Sequence, residues 1–484
     1  MSDTSWPPDG YPYEDGVDVI YAHIVNAIVN RIHGNLDVTT DLNVTGTPSS
    51  STFLRGDGVW ATPAGGGSGG GLTHLPGCWV LSADVPEDIR TALSGAPNVF
   101  ICDGTNDQVE IQAAIDYAAP LYSRNTASGM NGVSTQMGTV KLSGGRFNIS
   151  GANGIKMRTG VRLEGSGWLT ELRAVSCTAP GMIQLNSPNE HVVHICNLWL
   201  NGNGSAGGTC SGIDIDGDGS SQAGMSTYPS SNPDQYNYYG NLYISDFDGG
   251  TGTSGLGLRR GLALRGGDSG NDRGWVMENL QVRRISGTGI FIDGTTDGSI
   301  SNAHIGTVAY GETVSESNAE NLGKGVGLYV SAANIKCVNN KAFYCEGWGV
   351  VADNYQGYWA GLEVQENPRG LLVAGRAQVF TSVMVDACME GIRIDTFTAD
   401  SAHPGCSIHG FTVTNNAPRY GTADLTVGVR IMSSNTKNVS LIGNVYTHAL
   451  GSRGAITSKL TGTVGSGSFV RIGGGTDIET AGTT

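Results

Sequence analysis

The sequence predicts an all-β parallel solenoid preceded by a separate amino-terminal region, and three observations carry that prediction. Short phrases of glycine followed by two alternating apolar positions recur: GIDI at 212, GIFI at 289, GLYV at 327, GVVA at 349, GLLV at 370, GIRI at 391 and GVRI at 428. Their spacing is even in the middle of the series, 22 residues from Gly327 to Gly349, 21 to Gly370 and 21 again to Gly391. Composition agrees, because 75 glycines in 484 residues and only 15% charged residues suit many tight turns between strands.

Each element can be justified in turn. Residues 15–33 carry Ala22, Val25, Val29 and Ile32 on one stripe and Val17, Ile20, Ile24 and Ile28 on another. A lone helix cannot bury both stripes, so a bundle between copies of the chain is expected, the alternative being a helix docked on its own body. After Gly34 the alternation of Leu36, Val38, Leu42 and Val44 predicts short strands. FLRGDGVW, from Phe53 to Trp60, reads as strand, glycine turn and strand. Its Asp57-Gly58 pair is a common turn dipeptide, which explains the Arg-Gly-Asp triplet better than integrin recognition does. The glycine and serine run of residues 64–74 reads as a flexible joint. The expected organisation is therefore 1–63, a linker at 64–74, the solenoid at 75–450 and a Gly, Ser and Thr rich β tail at 451–484.

Beyond the joint, NVFICDGTNDQVEIQAAIDYAAPL predicts a strand, a turn and a helix over 107–118. Asp107 followed by Glu110 has the spacing of a capping box, and Ile111, Ala114, Ile115 and Ala118 form the apolar face. GTVKLSGGRFNIS follows as strand, two-glycine turn and strand. From there the phrases repeat, with second strands such as NIKCVNN, AGLEVQEN and AQVFTSVMV between them. A period near 21 with no intervening helix indicates coils that bury their inward residues only by stacking; a β-sandwich would not explain the even interval. The flanking intervals of 38 and 37 residues are either one coil with an inserted loop or two poorly matched coils.

Charge and cysteine usage exclude some functions. A formal charge of -15, with no basic stripe, repels phosphate and argues against a nucleic-acid partner. The acidic, proline-rich opening residues lack the pattern of a secretion signal, and no segment reads as a membrane span. The nine cysteines lack zinc or redox spacing and read as buried free thiols rather than disulfides.

The run DGTNDQVEIQAAID…GTVKLSGGRFNI resembles the opening of pectate-lyase-like right-handed β-helices, in which a short amphipathic helix plugs the first coil, especially those of bacteriophage tailspikes and tail fibres. STFLRGDGVWATP is similar to a segment common in phage tail and fibre proteins. The resemblance implies an elongated homotrimer, made in the host cytoplasm and carried on the virion tail. Its amino-terminal region would attach to other tail proteins and its shaft would face host cell-surface polysaccharide. It implies a polysaccharide-binding protein, with a glycan depolymerase (glycosidase or lyase) or a purely structural tail component as the alternatives. It carries no residue motif for a site, so the geometry of the repeat must supply one.

Four residues past each phrase-opening glycine stand Asp293, Ser331, Asp353, Ala374, Asp395 and Met432. Asp353 and Asp395 should share one face two coils apart, roughly 9.6 Å at about 4.8 Å per coil. That is near the upper end of the ~6.5–9.5 Å that inverting glycosidases use. Glu390 is the nearby carboxylate expected to keep the acid protonated, and Tyr355, Tyr358 and Trp359 are the rings on which sugars would stack. The competing reading is that both aspartates simply accept turn N–H groups. Glu346 and Glu366 are a weaker second pair at the ends of successive strands. No cofactor is expected, although Asp214, Asp216 and Asp218 begin like a calcium loop whose twelfth position, Met225, cannot supply the bidentate carboxylate. His191 and His194, three apart, would point to opposite faces of a strand and share no metal.

Overall fold

The computed structural model describes residues 53–54, 60–61, 77–121, 123–124, 134–187, 190, 192–216, 237–248, 259–266, 274–353, 355–395, 405–414, 427–432, 438–446, 458–462, 468–474 and 478–481. The helix expected over 15–33, the strands after it and the linker at 64–74 lie outside them. The chain divides into two units, residues 1–73 and 74–484. In the first, Phe53–Leu54 and Trp60–Ala61 pair antiparallel, as strand, turn and strand require.

The second unit is a right-handed parallel β-helix. A short sheet of 11 strands runs without a break in order from Ile155–Met157 to Ser458–Thr461, and a long sheet of 20 strands carries the other walls. Every pairing in the short sheet is parallel, and the register shifts only past Asp293, so equivalent side chains stack coil upon coil. One inward row reads Ile155, Ile183, Ile213, Leu262, Ile290, Leu328, Val350, Leu371, Ile392, Val429 and Leu460. All but Leu460 are fully buried, so each coil removes its apolar surface from water against its neighbours.

Glycine opens each phrase for a steric reason. A Cβ on Gly370 would stand 2.3 Å from the Gly391 carbonyl oxygen and 2.7 Å from Val385 Cγ1, since the chain there passes between the next coil and the facing sheet. In the long sheet, Asn197, Asn241, Asn279 and Asn302 all take left-handed φ values and stack on successive coils. The side-chain amide of each donates to the carbonyl oxygen of the preceding one at 3.1–3.2 Å. Asparagine tolerates that conformation and satisfies its own polar atoms within the row.

Three helices are found among the described residues: α1 (Glu87–Leu93), α2 (Gln108–Ala118) and α3 (Glu316–Leu322). The apolar face of α2 is Ile111, Ala114, Ile115 and Ala118, all buried, and it closes the amino-terminal end of the core. Asp107 stands at the N-cap of α2 as expected, but its side chain makes no capping hydrogen bond. Its carboxylate accepts the Gly104 N–H at 2.9 Å and the Asn148 N–H at 2.6 Å, which ties the preceding turn to the strand Gly145–Gly151 instead.

Other details correct the repeat count. The 38-residue interval is one coil with an insertion, because Ile290–Thr296 pairs directly with Leu328–Ala333 and α3 lies between them in sequence. A coil opening at Gly261, with strand Leu262–Arg265, stands between the phrases at 212 and 289. The solenoid also continues past residue 450. Ser458–Thr461 and Phe469–Gly473 still pair parallel with the coil before, and only Ile478–Ala481 turns back antiparallel.

Candidate functional site

The outer face of the short sheet carries the most concentrated chemistry. Its coils align Asp293, Ser331, Asp353, Ala374, Asp395 and Met432 in one lateral row, and Arg265, which the phrase spacing did not include, extends it by one coil. Asp353 is the middle of three carboxylates, each separated from the next by one coil with a small uncharged side chain. Its own N–H bonds to the Val330 carbonyl, and that of Asp395 to the Val373 carbonyl, which continues the ladder by one rung past the strands.

Asp353 touches solvent yet is closely surrounded by protein. Burial first, then the charges of Asp293 and Asp395, push its carboxyl up from 3.8 to about 6. Crowding of like charges favours the protonated form. One coil away is Tyr329, a buried residue whose hydroxyl is raised by burial and then by Asp353 and Asp293. Its ring stacks on Phe291 at 4.9 Å. The buried Arg260 guanidinium lies 3.7 Å over the other partner of that stack, Phe291, and is lowered to about 10 chiefly by burial. Among the described residues its Nε has no hydrogen-bond partner.

Beside the acidic row lies an apolar bay of Phe291, Val326, Tyr329, Trp348, Val351 and Leu372, onto which α3 packs through Ala319. The helix is held by the Ser315 hydroxyl, which accepts the Asn318 N–H at 3.2 Å, and it ends at Gly323 with φ +68°. On the far side of the bay Arg393 donates to Glu390 at 2.6 and 2.8 Å, to Glu320 at 3.0 Å and to Glu316. Burial alone would lower the Arg393 pKa, but the bonds to Glu390 and Glu316 outweigh it.

Three expected roles change accordingly. Glu390 is buried and paired with Arg393 and with Arg430, the latter at 3.1 Å, so it does not serve Asp353; Asp293 takes that part. Trp359 points into the core, stacks on Phe380 at 5.3 Å and donates its Nε1–H to Gln378 at 2.9 Å, so no sugar reaches it. Its strand Tyr358–Gln365 starts outward at Tyr358 and inward at Trp359, and the phase then slips by one at Gly361 before Leu362 and Val364 turn inward. Tyr355, 38% exposed, lies in the turn after Asp353, whereas Tyr358, 45% exposed, heads a strand of the long sheet.

The remaining candidates separate. Phe343 pairs with Gln365, which sets Glu366 level with Tyr344 and not with Glu346; Glu346 accepts the Gly311 N–H at 3.1 Å. Asp214 and Asp216 belong to the strand Ser211–Asp216 rather than to a loop, and Arg265 occupies the Asp214 carboxylate at 2.7 Å; Asp218 lies outside the described residues. His194 packs its ring against Tyr238 at 5.6 Å, and His191 lies outside the described residues. Cys102, Asp107 and Glu110 do converge within 4.8 Å, but both Asp107 oxygens already accept backbone N–H groups.

No protein-family model matches the chain, and no curated protein matches it in sequence. Solved structures similar to it are parallel β-helices. The A-module of the mannuronan C-5 epimerase AlgE4 of Azotobacter vinelandii has 16% identity over 76% of this chain and 96% of its own, with a TM-score of 0.40. The enzymatically active domain of tailspike protein 2 of bacteriophage CBA120 has 13% identity over 76% of this chain and 45% of its own, at 0.46. Tailspike gp49 of the Acinetobacter baumannii bacteriophage Fri1, a capsular polysaccharide depolymerase, has 14% identity over 88% and 63%, at 0.36.

Proposed function

We propose that the chain is a subunit of a phage tailspike or tail fibre that engages host cell-surface polysaccharide along the outer face of its short sheet. The observation that carries this reading is the row Asp293, Asp353, Asp395, with the exposed Tyr355 just beyond it. Carboxylates accept sugar hydroxyls and a tyrosine face packs on sugar C–H groups. The sequence resemblance to phage spikes supports the same assignment, with residues 1–63 attaching a homotrimer to the tail.

The raised carboxyl of Asp353 favours a further step, cleavage of the bound chain. A carboxylic acid raised toward neutral pH can give its proton to a glycosidic oxygen as the bond to the anomeric carbon breaks. Asp395, two strand spacings or roughly 9.6 Å away, then takes a proton from the water attacking the opposite face. That separation is at the upper limit of the range for inversion and well beyond that for retention.

The test is incubation of the purified protein with capsular and envelope polysaccharides of candidate hosts. New reducing ends are expected; unsaturated products would replace hydrolysis by elimination, binding without products would leave an adhesin, and neither would leave a structural tail component. Light scattering should give three times the chain mass, and a monomer would remove the trimer.

A further inference from the structure

We propose that Trp168, Tyr243 and Trp199 form a second, non-catalytic sugar-stacking platform on the outer face of the long sheet. Trp199 and Tyr243 are register partners on neighbouring parallel strands, His194–Asn201 and Asn237–Phe247, and their rings stand 5.8 Å apart. Trp168 reaches over them from the three-residue turn Gly167–Leu169, with its ring 5.2 Å from Tyr243. Three rings from three coils thus make one surface, and the outermost, Trp168, is 54% exposed. Trp199 and Tyr243 are half-buried beneath it, and a large exposed ring over a partly open aromatic pair points to a ligand.

The surroundings decide which ligand. The Trp199 Nε1–H is already taken by the Ser245 hydroxyl at 3.0 Å, so its ring is fixed by one edge. Around the rings stand hydrogen-bonding groups rather than aliphatic ones: Glu171 and Gln281 in the same lateral row, and Asn201 beside them, donating to Glu171. Leu169, 77% exposed, follows Trp168 in the same turn. A protein interface would want an apolar centre ringed by polar groups. Flat rings set among amides and carboxylates instead match a pyranose chain, whose C–H faces stack while its hydroxyls bond at the edge. The platform lies on a different sheet from the acidic row, so it would hold a second stretch of polymer and raise the effective concentration of the first.

This inference rests on the glycan-engaging reading, and the experiment separates the two. The probe is an array of purified bacterial capsular and envelope polysaccharides, followed by affinity electrophoresis in the polysaccharide that retains the wild-type chain. Trp168→Ala and Tyr243→Ala should each weaken retention about tenfold, roughly the effect of one lost stacking contact. Unchanged retention in both aromatic variants would overturn the platform and leave the short-sheet site standing. No retention of wild type by any polysaccharide would overturn both. A changed oligomer mass in Trp168→Ala, by light scattering, would assign the rings to a subunit interface and overturn the proposal. Circular dichroism of each variant checks that the solenoid is intact.

Discussion

Asp353 and Asp395 share one lateral row of the short sheet, with Ala374 between them on the intervening coil. Asp353 is raised by burial and by its like-charged neighbours, in contrast to Glu390, which Arg393 and Arg430 hold. Replacing Asp353 or Asp395 by Asn should therefore lower polysaccharide cleavage by roughly 10²–10⁴-fold, the range for losing a general acid or base. Neither substitution should lower the melting temperature. Glu390→Gln should do the reverse, with cleavage retained and stability lost. Reducing-end assays beside thermal melts check all three, and equal cleavage by both Asp variants and wild type would reject the row as catalytic.

The raised carboxyl of Asp353 also has a sign in stability. Between 3.8 and about 6 the folded chain holds this proton and the unfolded chain does not, so its contribution to stability is full at low pH and is lost as pH rises through about 6. Asp353→Asn removes the charge at every pH. The variant should be more stable than wild type at pH 7, and the difference should shrink at pH 5. Urea denaturation at the two pH values measures it; a difference independent of pH would mean that the carboxyl titrates normally.

The solenoid was legible in the sequence because glycine has no substitute at the phrase openings and the period fixes the stacking. Counting from Gly349 and Gly391 thus placed Asp353 and Asp395 in one row before any coordinates did. The phase of the second strands was not legible: whether Tyr358 or Trp359 points outward depends on where the turn after Asp353 ends. Partners supplied by an insertion were hidden too. Nothing in the local text around Glu390 announces that Glu316 and Glu320, on a helix inserted just before the coil three earlier, join it at Arg393. Trp168, Trp199 and Tyr243 were missed because they stand 31 and 44 residues apart, intervals unequal to the period near 21.

The Arg393 cluster gives a stability test independent of function. Arg393 and Glu390 are both almost wholly buried, and one guanidinium serves three carboxylates. Arg393→Ala would leave the Glu390 charge with only Arg430 and would loosen α3 from the bay. A loss of roughly 3–5 kcal/mol is expected from breaking a buried pair. A urea midpoint within error of wild type would show that α3 is held by Ala319 and its apolar contacts alone.

The cysteines test the packing of the whole shaft. All nine are free and buried, although they come from nine different places along the coils. Burial pushes the Cys78, Cys388 and Cys406 thiols up to about 12, so little thiolate exists at neutral pH even where reagent can enter. Cys177 is the exception in direction, lowered chiefly by its bond with Cys210, yet it too is fully enclosed. A thiol reagent at pH 8 should therefore titrate no cysteine in the native protein within minutes and nine in denaturant. Any slow native reaction should keep pace with global unfolding, because inward residues of stacked coils are exposed only when neighbouring coils separate. Fewer than nine thiols in denaturant would reveal a disulfide. Rapid reaction of one thiol in the native state would locate a coil that opens by itself.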